Sequence, residues 1–190
     1  GADTPDLHPC VATAEAWRLR SAPRLDPTPD GPRRRFVTAV SPDGSTLAIA
    51  ARGRAVRLYR RSDGRAVRAF STKSARSLAL AFAPDGRSLA SAGLDGRVRI
   101  WDPAREVERR ELSGHSGPAS ALAYSPDGTL LATAGRDGVV RVWEPDTGRL
   151  VRSFHADGGP VASLAFSGDG ASLVATGADG NARRWDLDRP

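Results

Sequence analysis

The sequence predicts an all-β chain assembled from four copies of one unit, each a sheet of four antiparallel strands. Three observations carry that expectation. Pro42, Pro84 and Pro126 each open a Pro-Asp-Gly turn, and Gly168 opens Gly-Asp-Gly in the same register, at a constant step of 42 residues. Tyr59, Trp101, Trp143 and Trp185 repeat at the same step. Between these landmarks fall Asp95-Gly96, Asp137-Gly138 and Asp179-Gly180, with Arg52-Gly53 as the degenerate first copy. A fixed period of this length marks a repeat architecture, in which each unit buries its apolar face only by stacking on its neighbours. Function is then to be sought on a surface that the units share.

The third unit shows the elements in order. Residues 119–124 are an apolar first strand, Ser125-Pro126-Asp127-Gly128 turns the chain, and residues 130–134 form a second strand. Asp137-Gly138 is hairpin chemistry, because glycine accepts the positive φ that a tight reversal between twisted strands demands. Residues 139–143 then read as a strand packed on both faces, and Asp146 to Gly148 turn the chain into a fourth strand at 150–155. No stretch carries a helical period long enough to compete.

Gly114-His115, Ser125-Pro126-Asp127-Gly128, Leu131-Ala132-Thr133, Asp137-Gly138 and Val142-Trp143-Glu144 together resemble a blade of the WD-repeat β-propeller family, of bacterial type. The second and fourth units end in Trp101-Asp102 and Trp185-Asp186, the dipeptide for which that family is named. The resemblance covers residues 35–190 and implies a β-propeller segment of four four-stranded blades. It further implies a structural hydrogen-bond network inside a blade, joining a Gly-His histidine, a strand hydroxyl, the turn aspartate and the tryptophan indole. Only the third unit supplies all four, as His115, Thr133, Asp137 and Trp143. The second keeps Ser91, Asp95 and Trp101 but has Lys73 in the histidine register. The fourth keeps Asp179 and Trp185, with Asp157 and Ala175 in the other two places, and the first has Ile49, Gly53 and Tyr59. A buried indole N–H and imidazole need partners, so these residues are expected to hold the blade together.

The ends of the chain leave alternatives open. The last unit stops shortly after Trp185-Asp186, so its outermost strand is expected to be missing there. Residues 1–34, with six of the 14 prolines, form a Pro-rich N-terminal segment. Trp17 lies 42 residues before Tyr59, which makes the segment the remnant of an upstream blade; a closing strand around Trp17 is the rival reading. Propellers contain roughly four to eight blades, and the resembled family builds the larger rings. The chain is therefore expected to be an incomplete ring with missing upstream blades, or half of a larger ring formed as a homo-dimer, since exposed apolar end faces drive association.

The net charge of +6 is uneven. Residues 35–76 sum to +8 and every other unit lies at 0 or −1. The basic patch comprises Arg54, Arg57, Arg60, Arg61, Arg65 and Arg68, which would suit an acidic protein surface. Lysine occurs once against 27 arginines, which fits a GC-rich coding bias. Arg57, Arg99, Arg141 and Arg183 share the repeat register and are expected as solvated strand positions. Tyr59 is the sole aromatic residue in the cluster, where base stacking would require several, so nucleic acid is a poor match.

No catalytic residue, metal-ligand set or cofactor motif is expected. His8, His115, His155 and Cys10 lack the spacing of a zinc site or a Cys-His pair, and the turn glycines do not form a phosphate cradle. A non-enzymatic protein–protein interaction scaffold remains, as part of a larger regulatory protein, with another protein as partner. Its contact rim is expected at Arg52, Leu94, Arg136 and Ala178, just before the turn glycines and aspartates, with Arg76 and Ser116 beside them. Rigid strands pre-organise such side chains and lower the entropy lost on binding. The alternatives are contacts through the basic first repeat, or a purely structural self-associating array. No apolar run approaches the roughly 18 residues of a membrane span and no signal peptide is visible, so the cytoplasm is the expected compartment.

Overall fold

The computed structural model describes residues 36–50, 55–72 and 76–187. Expectations placed on residues 1–34, and on Arg52, Gly53, Arg54 and Lys73, lie outside the described residues. Those described form fifteen strands and no helix. The first sheet contains β1 (Val37–Val40), β2 (Thr46–Ala50), β3 (Ala55–Arg60) and β4 (Ala66–Ser71). The second contains β5 (Ser77–Phe82), β6 (Leu89–Gly93), β7 (Val98–Asp102) and β8 (Val107–Leu112). The third contains β9 (Ala119–Tyr124), β10 (Leu131–Gly135), β11 (Val139–Trp143) and β12 (Leu150–His155). The fourth has three strands, β13 (Val161–Phe166), β14 (Ser172–Gly177) and β15 (Ala182–Asp186).

Within every sheet the strands pair antiparallel in chain order. The register repeats with the sequence: Leu47 faces Tyr59, Leu89 faces Trp101, Leu131 faces Trp143 and Leu173 faces Trp185. The first turn of each unit is fixed by its own side chains. Asp127 accepts hydrogen bonds from the Ser125 hydroxyl and the Thr129 N–H, and Asp43 and Asp169 do the same in their units. Such Asx chemistry and a positive-φ glycine fix where the chain reverses.

The sheets stack side by side with their first strands innermost, β1 against β5, β5 against β9 and β9 against β13. Three apolar clusters fill the gaps. Ala48, Val56, Leu58 and Phe70 meet Leu80, Leu89 and Trp101; Ala90, Val98 and Ile100 meet Leu131 and Trp143; Ala132, Val140 and Val142 meet Leu164 and Leu173. Phe70 stacks on Trp101 and Phe154 on Trp185, each pair with ring centroids 5.4 Å apart. The described residues do not close into a ring, as expected of an incomplete propeller. Each element is thus stabilised mainly by its neighbour in the stack.

Candidate functional site

Antiparallel order places the turns between second and third strands at the same end as the connectors between sheets. That end carries the sequence-predicted rim, and the third sheet shows how it is held. Trp143 Nε1–H donates to Thr133 Oγ1 at 2.9 Å, and Thr133 Oγ1 lies 2.8 Å from His115 Nε2. His115 Nδ1 lies 3.0 Å from both Asp137 carboxylate oxygens. Because the indole can only donate, the Thr133 hydroxyl is free to donate to Nε2, while Nδ1 faces both the Asp137 carboxylate and Arg141 Nη1, the latter 2.8 Å away. The four residues named from the sequence are brought together in one chain of hydrogen bonds.

Burial lowers the His115 pKa below its usual 6.5; the hydrogen bond to Asp137 opposes that shift and the nearby Arg141 charge adds to it. Burial works against ionisation of Asp137, but hydrogen bonds from His115 and Arg141 hold its carboxyl below the usual carboxylate range. The sign of the linkage follows for His115. The unfolded chain takes up the imidazole proton first, so the network contributes fully above about pH 6.5 and loses stability as pH falls below it. The stability gap between the unsubstituted chain and His115→Gln, measured by urea unfolding, is expected to narrow from pH 7.5 to pH 5. A gap that is constant or widens over this range contradicts a neutral His115.

The second and fourth sheets use the same places differently. Trp101 Nε1–H donates to Ser91 Oγ at 2.9 Å, and Asp95 accepts from Arg99 Nη2 at 2.8 Å. Asp179 is clamped by Arg183, with Nη2 at 2.7 Å and Nη1 at 3.3 Å, while Trp185 is half-buried beside Ala175. In the first sheet Ile49 and Tyr59 are buried, and among the described residues no such network joins them.

The arginine register corrects the sequence expectation. Arg99, Arg141 and Arg183 are not solvated strand positions: each reaches back four residues to its turn aspartate, and the Arg99 side chain is 4% exposed. Arg57, whose unit has Gly53 in the aspartate register, is exposed. Counting Asp-Gly followed by arginine at the fourth place after the aspartate, in three of four units, would have revealed the pairing from sequence.

The rim positions are fixed through their backbones and free in their side chains. Leu94 N–H donates to Arg76 O at 2.9 Å, Arg136 N–H to Pro118 O at 3.0 Å, and Ala178 N–H to Pro160 O at 2.8 Å. Leu94, Arg136, Ala178 and Ser116 are exposed, Leu94 by 54%, and Arg76 is half-buried. Ser116 N–H also donates to Asp137 Oδ2 at 3.3 Å, tying the connector to the turn. Adjacent sheets meet closely here: a Cβ at Gly96, with φ of 76°, would lie 2.7 Å from Gly117 O and 2.9 Å from His115 O. Only glycine fits there.

The basic patch is partly neutralised. Arg60 pairs with Asp63 at 2.9 Å and Arg68 with Glu106 at 3.0 Å, while Arg57, Arg61 and Arg65 are exposed. At the opposite end a cleft of about 670 Å³ lies between the first two sheets, lined by Asp43, Asp85, Asp102, Arg68 and Arg109. Within it Arg109 Nη2 stands 2.6 Å from Asp102, while Arg68 pairs with Glu106 and Asp43 accepts from Ser41 and Ser45. Among the described residues no three His, Cys, Asp or Glu side chains converge as metal ligands. Among them, too, no helix is long and apolar enough to cross a membrane.

The family model described as WD domain, G-beta repeat, matches residues 64–102, 106–144 and 148–186, together more than half of the chain. Each match begins by the fourth strand of one sheet and ends after the third strand of the next, so the matched units interlock the sheets. Strands β1 to β3, which belong to the unit lacking the network, lie before the first match. The match carries nothing on source organism, and the bacterial type read from the sequence is not borne out. A search of curated proteins found no match.

Proposed function

Since the chain belongs to the WD40 family, the WD domain, G-beta repeat, we propose that it is an interaction scaffold whose partner protein docks on the rim of the second to fourth sheets. Repeats of this family generally mediate protein–protein contacts and are typically non-enzymatic. The observation that carries the reading is the repeated backbone hydrogen bond that pins Leu94, Arg136 and Ala178 while leaving their side chains in water. A pre-organised surface with an exposed leucine beside arginines suits an apolar anchor flanked by acidic groups on the partner. Placement within a larger regulatory protein is part of the same proposal. The basic first sheet is the weaker candidate, because Arg60 and Arg68 already have carboxylate partners.

The test is affinity capture with the purified chain as bait, read by quantitative mass spectrometry. Proteins retained by the unsubstituted bait are expected to be lost with Leu94→Glu/Arg136→Glu and kept with Arg87→Glu, which lies at the opposite end. The double variant should unfold within about 1 kcal/mol of the unsubstituted chain, as exposed substitutions do. Retention of the same proteins by the double variant sinks the rim assignment.

A further inference from the structure

At three positions the second unit departs from what the repeat places in its turns, and the departures gather at the cleft between the first two sheets. The residue two after the first-turn aspartate is Ser45 in the first unit and Thr129 in the third, each hydroxyl donating back to its aspartate, Asp43 or Asp127. The fourth unit has Ala171 there, and the second has Arg87. In the turn between third and fourth strands, Asp63 and Thr147 each accept the N–H of the residue two places on, and the second unit has Arg105 in that register. The following residue is Gly64 or Gly148, both at positive φ, where the second unit holds Glu106 at φ of 61°. That backbone is strained for a residue with a Cβ. The ion pair that Glu106 makes there with Arg68 is exposed, and exposed pairs add little stability. The second unit thus forgoes two side-chain caps and a turn glycine, changes that do not favour its own fold.

We propose that this cleft, at the opposite end from the rim and independent of it, binds a small organic anion: a carboxylate carried on an apolar body. Its volume of about 670 Å³ falls within the roughly 300–1,000 Å³ of small-molecule sites. Phe82, partly buried, and Val67, 38% exposed, give it an apolar lining. The carboxylates that line it are turned to the protein. Asp43 accepts from the Ser41 and Ser45 hydroxyls, and Asp85 from the Arg87 N–H. Asp102 accepts from Arg109 and from the N–H groups of Ala104 and Arg105. Of the guanidiniums, Arg68 is paired with Glu106 and Arg109 with Asp102, whereas those of Arg87 and Arg105 have no carboxylate partner among the described residues. An anion entering the cleft therefore meets two sets of charge-assisted donors that no carboxylate of the protein occupies. Both arginines stand on turns whose backbone is already fixed by Asp85 and Asp102, so little order is lost on binding. The apolar lining favours an anion with a hydrocarbon body over a bare inorganic ion.

Hydrocinnamate serves as the probe, beside its neutral amide and acetate, with binding followed by NMR through the backbone amides of the isotopically labelled chain. Hydrocinnamate is expected to shift the Phe82, Arg87, Arg105 and Glu106 amides saturably, with a Kd on the order of 1 mM, as befits so small a ligand. The neutral amide should bind at least about tenfold more weakly for want of the charge, and acetate for want of the hydrocarbon. Arg87→Thr/Arg105→Thr restores the residues of the third unit. It should keep its Tm within about 5 °C of the unsubstituted chain or raise it, and weaken hydrocinnamate at least about tenfold. Arg149→Thr/Arg184→Thr, with the same loss of charge in the third and fourth sheets, should leave the affinity unchanged. The site is overturned if the shifts do not saturate below about 20 mM, if the amide or acetate binds as tightly, or if the cleft variant retains its affinity. A fall in Tm of the cleft variant beyond about 5 °C overturns it as well, because the two arginines would then be structural.

Discussion

Trp143→Ala is expected to destabilise the fold by about 3–5 kcal/mol, the range for removing a large aromatic side chain from a packed core. Trp143 is 5% exposed, packs with Leu131, Ile100 and Ala90 between the second and third sheets, and supplies the first donor of the hydrogen-bond chain. Alanine leaves a cavity between two sheets that cannot collapse onto each other without shifting the whole stack. It also leaves the buried Thr133 hydroxyl with one partner fewer. Trp143→Phe keeps an aromatic ring in the core while deleting the N–H and part of the indole, so a smaller loss of about 1–2 kcal/mol is expected. Trp185→Ala should cost less than Trp143→Ala, because Trp185 is only partly buried and has Ala175 where a hydroxyl would stand. Urea unfolding of the three variants provides the check. A loss below about 1.5 kcal/mol for Trp143→Ala would mean that neither the packing nor the network stabilises this region.

The network holds the loop that carries the proposed docking residues. Asp137 follows Arg136, accepts the Ser116 N–H from the adjoining connector, and is itself gripped by His115 and Arg141. Thus the side chains proposed to meet a partner stand on a turn whose geometry is set by buried hydrogen bonds. Only the third sheet has the full set. The second replaces the histidine contact with ion pairs, and the fourth with the single Arg183 clamp.

Most of the architecture was legible in the sequence because it repeats. The strand boundaries of the third unit were read to within a residue, since a Pro-Asp-Gly turn and an Asp-Gly hairpin each permit few alternative registers. The partners of His115 were legible because the resemblance supplied them. What escaped was information carried by long side chains. An arginine on a strand alternates like a solvated residue, and its pattern does not say whether the guanidinium points to water or folds back four residues to an aspartate. Glu106 is a second case: it holds φ of 61° in the register where Gly64 and Gly148 hold positive φ, and its type gave no hint of that backbone.

Arg99→Ala is expected to cost about 3–5 kcal/mol, comparable to the tryptophan although a charge rather than a ring is removed. The guanidinium is 4% exposed and stands 2.8 Å from Asp95, 3.2 Å from Glu111 and 4.0 Å from Glu108. It joins the turn before β7 to the outer strand β8, directly across from Glu111 in the ladder. Deleting it leaves three carboxylates close together, with Arg97 still paired to Glu111. Arg99→Lys restores the charge but not the planar fork that serves several acceptors, so it should recover only part of the loss. The pH dependence distinguishes this account from simple loss of packing. Burial disfavours ionised Asp95, but hydrogen bonds from Arg99 and the Arg97 N–H hold its carboxyl below the usual 3.8. A depressed carboxyl contributes stability above the unfolded value and loses it as pH falls through the folded one. In Arg99→Ala that contribution is absent, and the mutual repulsion of the carboxylates is itself relieved by protonation. The stability gap between the unsubstituted chain and Arg99→Ala should therefore be largest near pH 7 and shrink as the solution is acidified below about pH 4. A gap of less than about 1 kcal/mol at neutral pH, or one that does not change on acidification, would show that the cluster is held by packing and that Arg99 is dispensable as a charge.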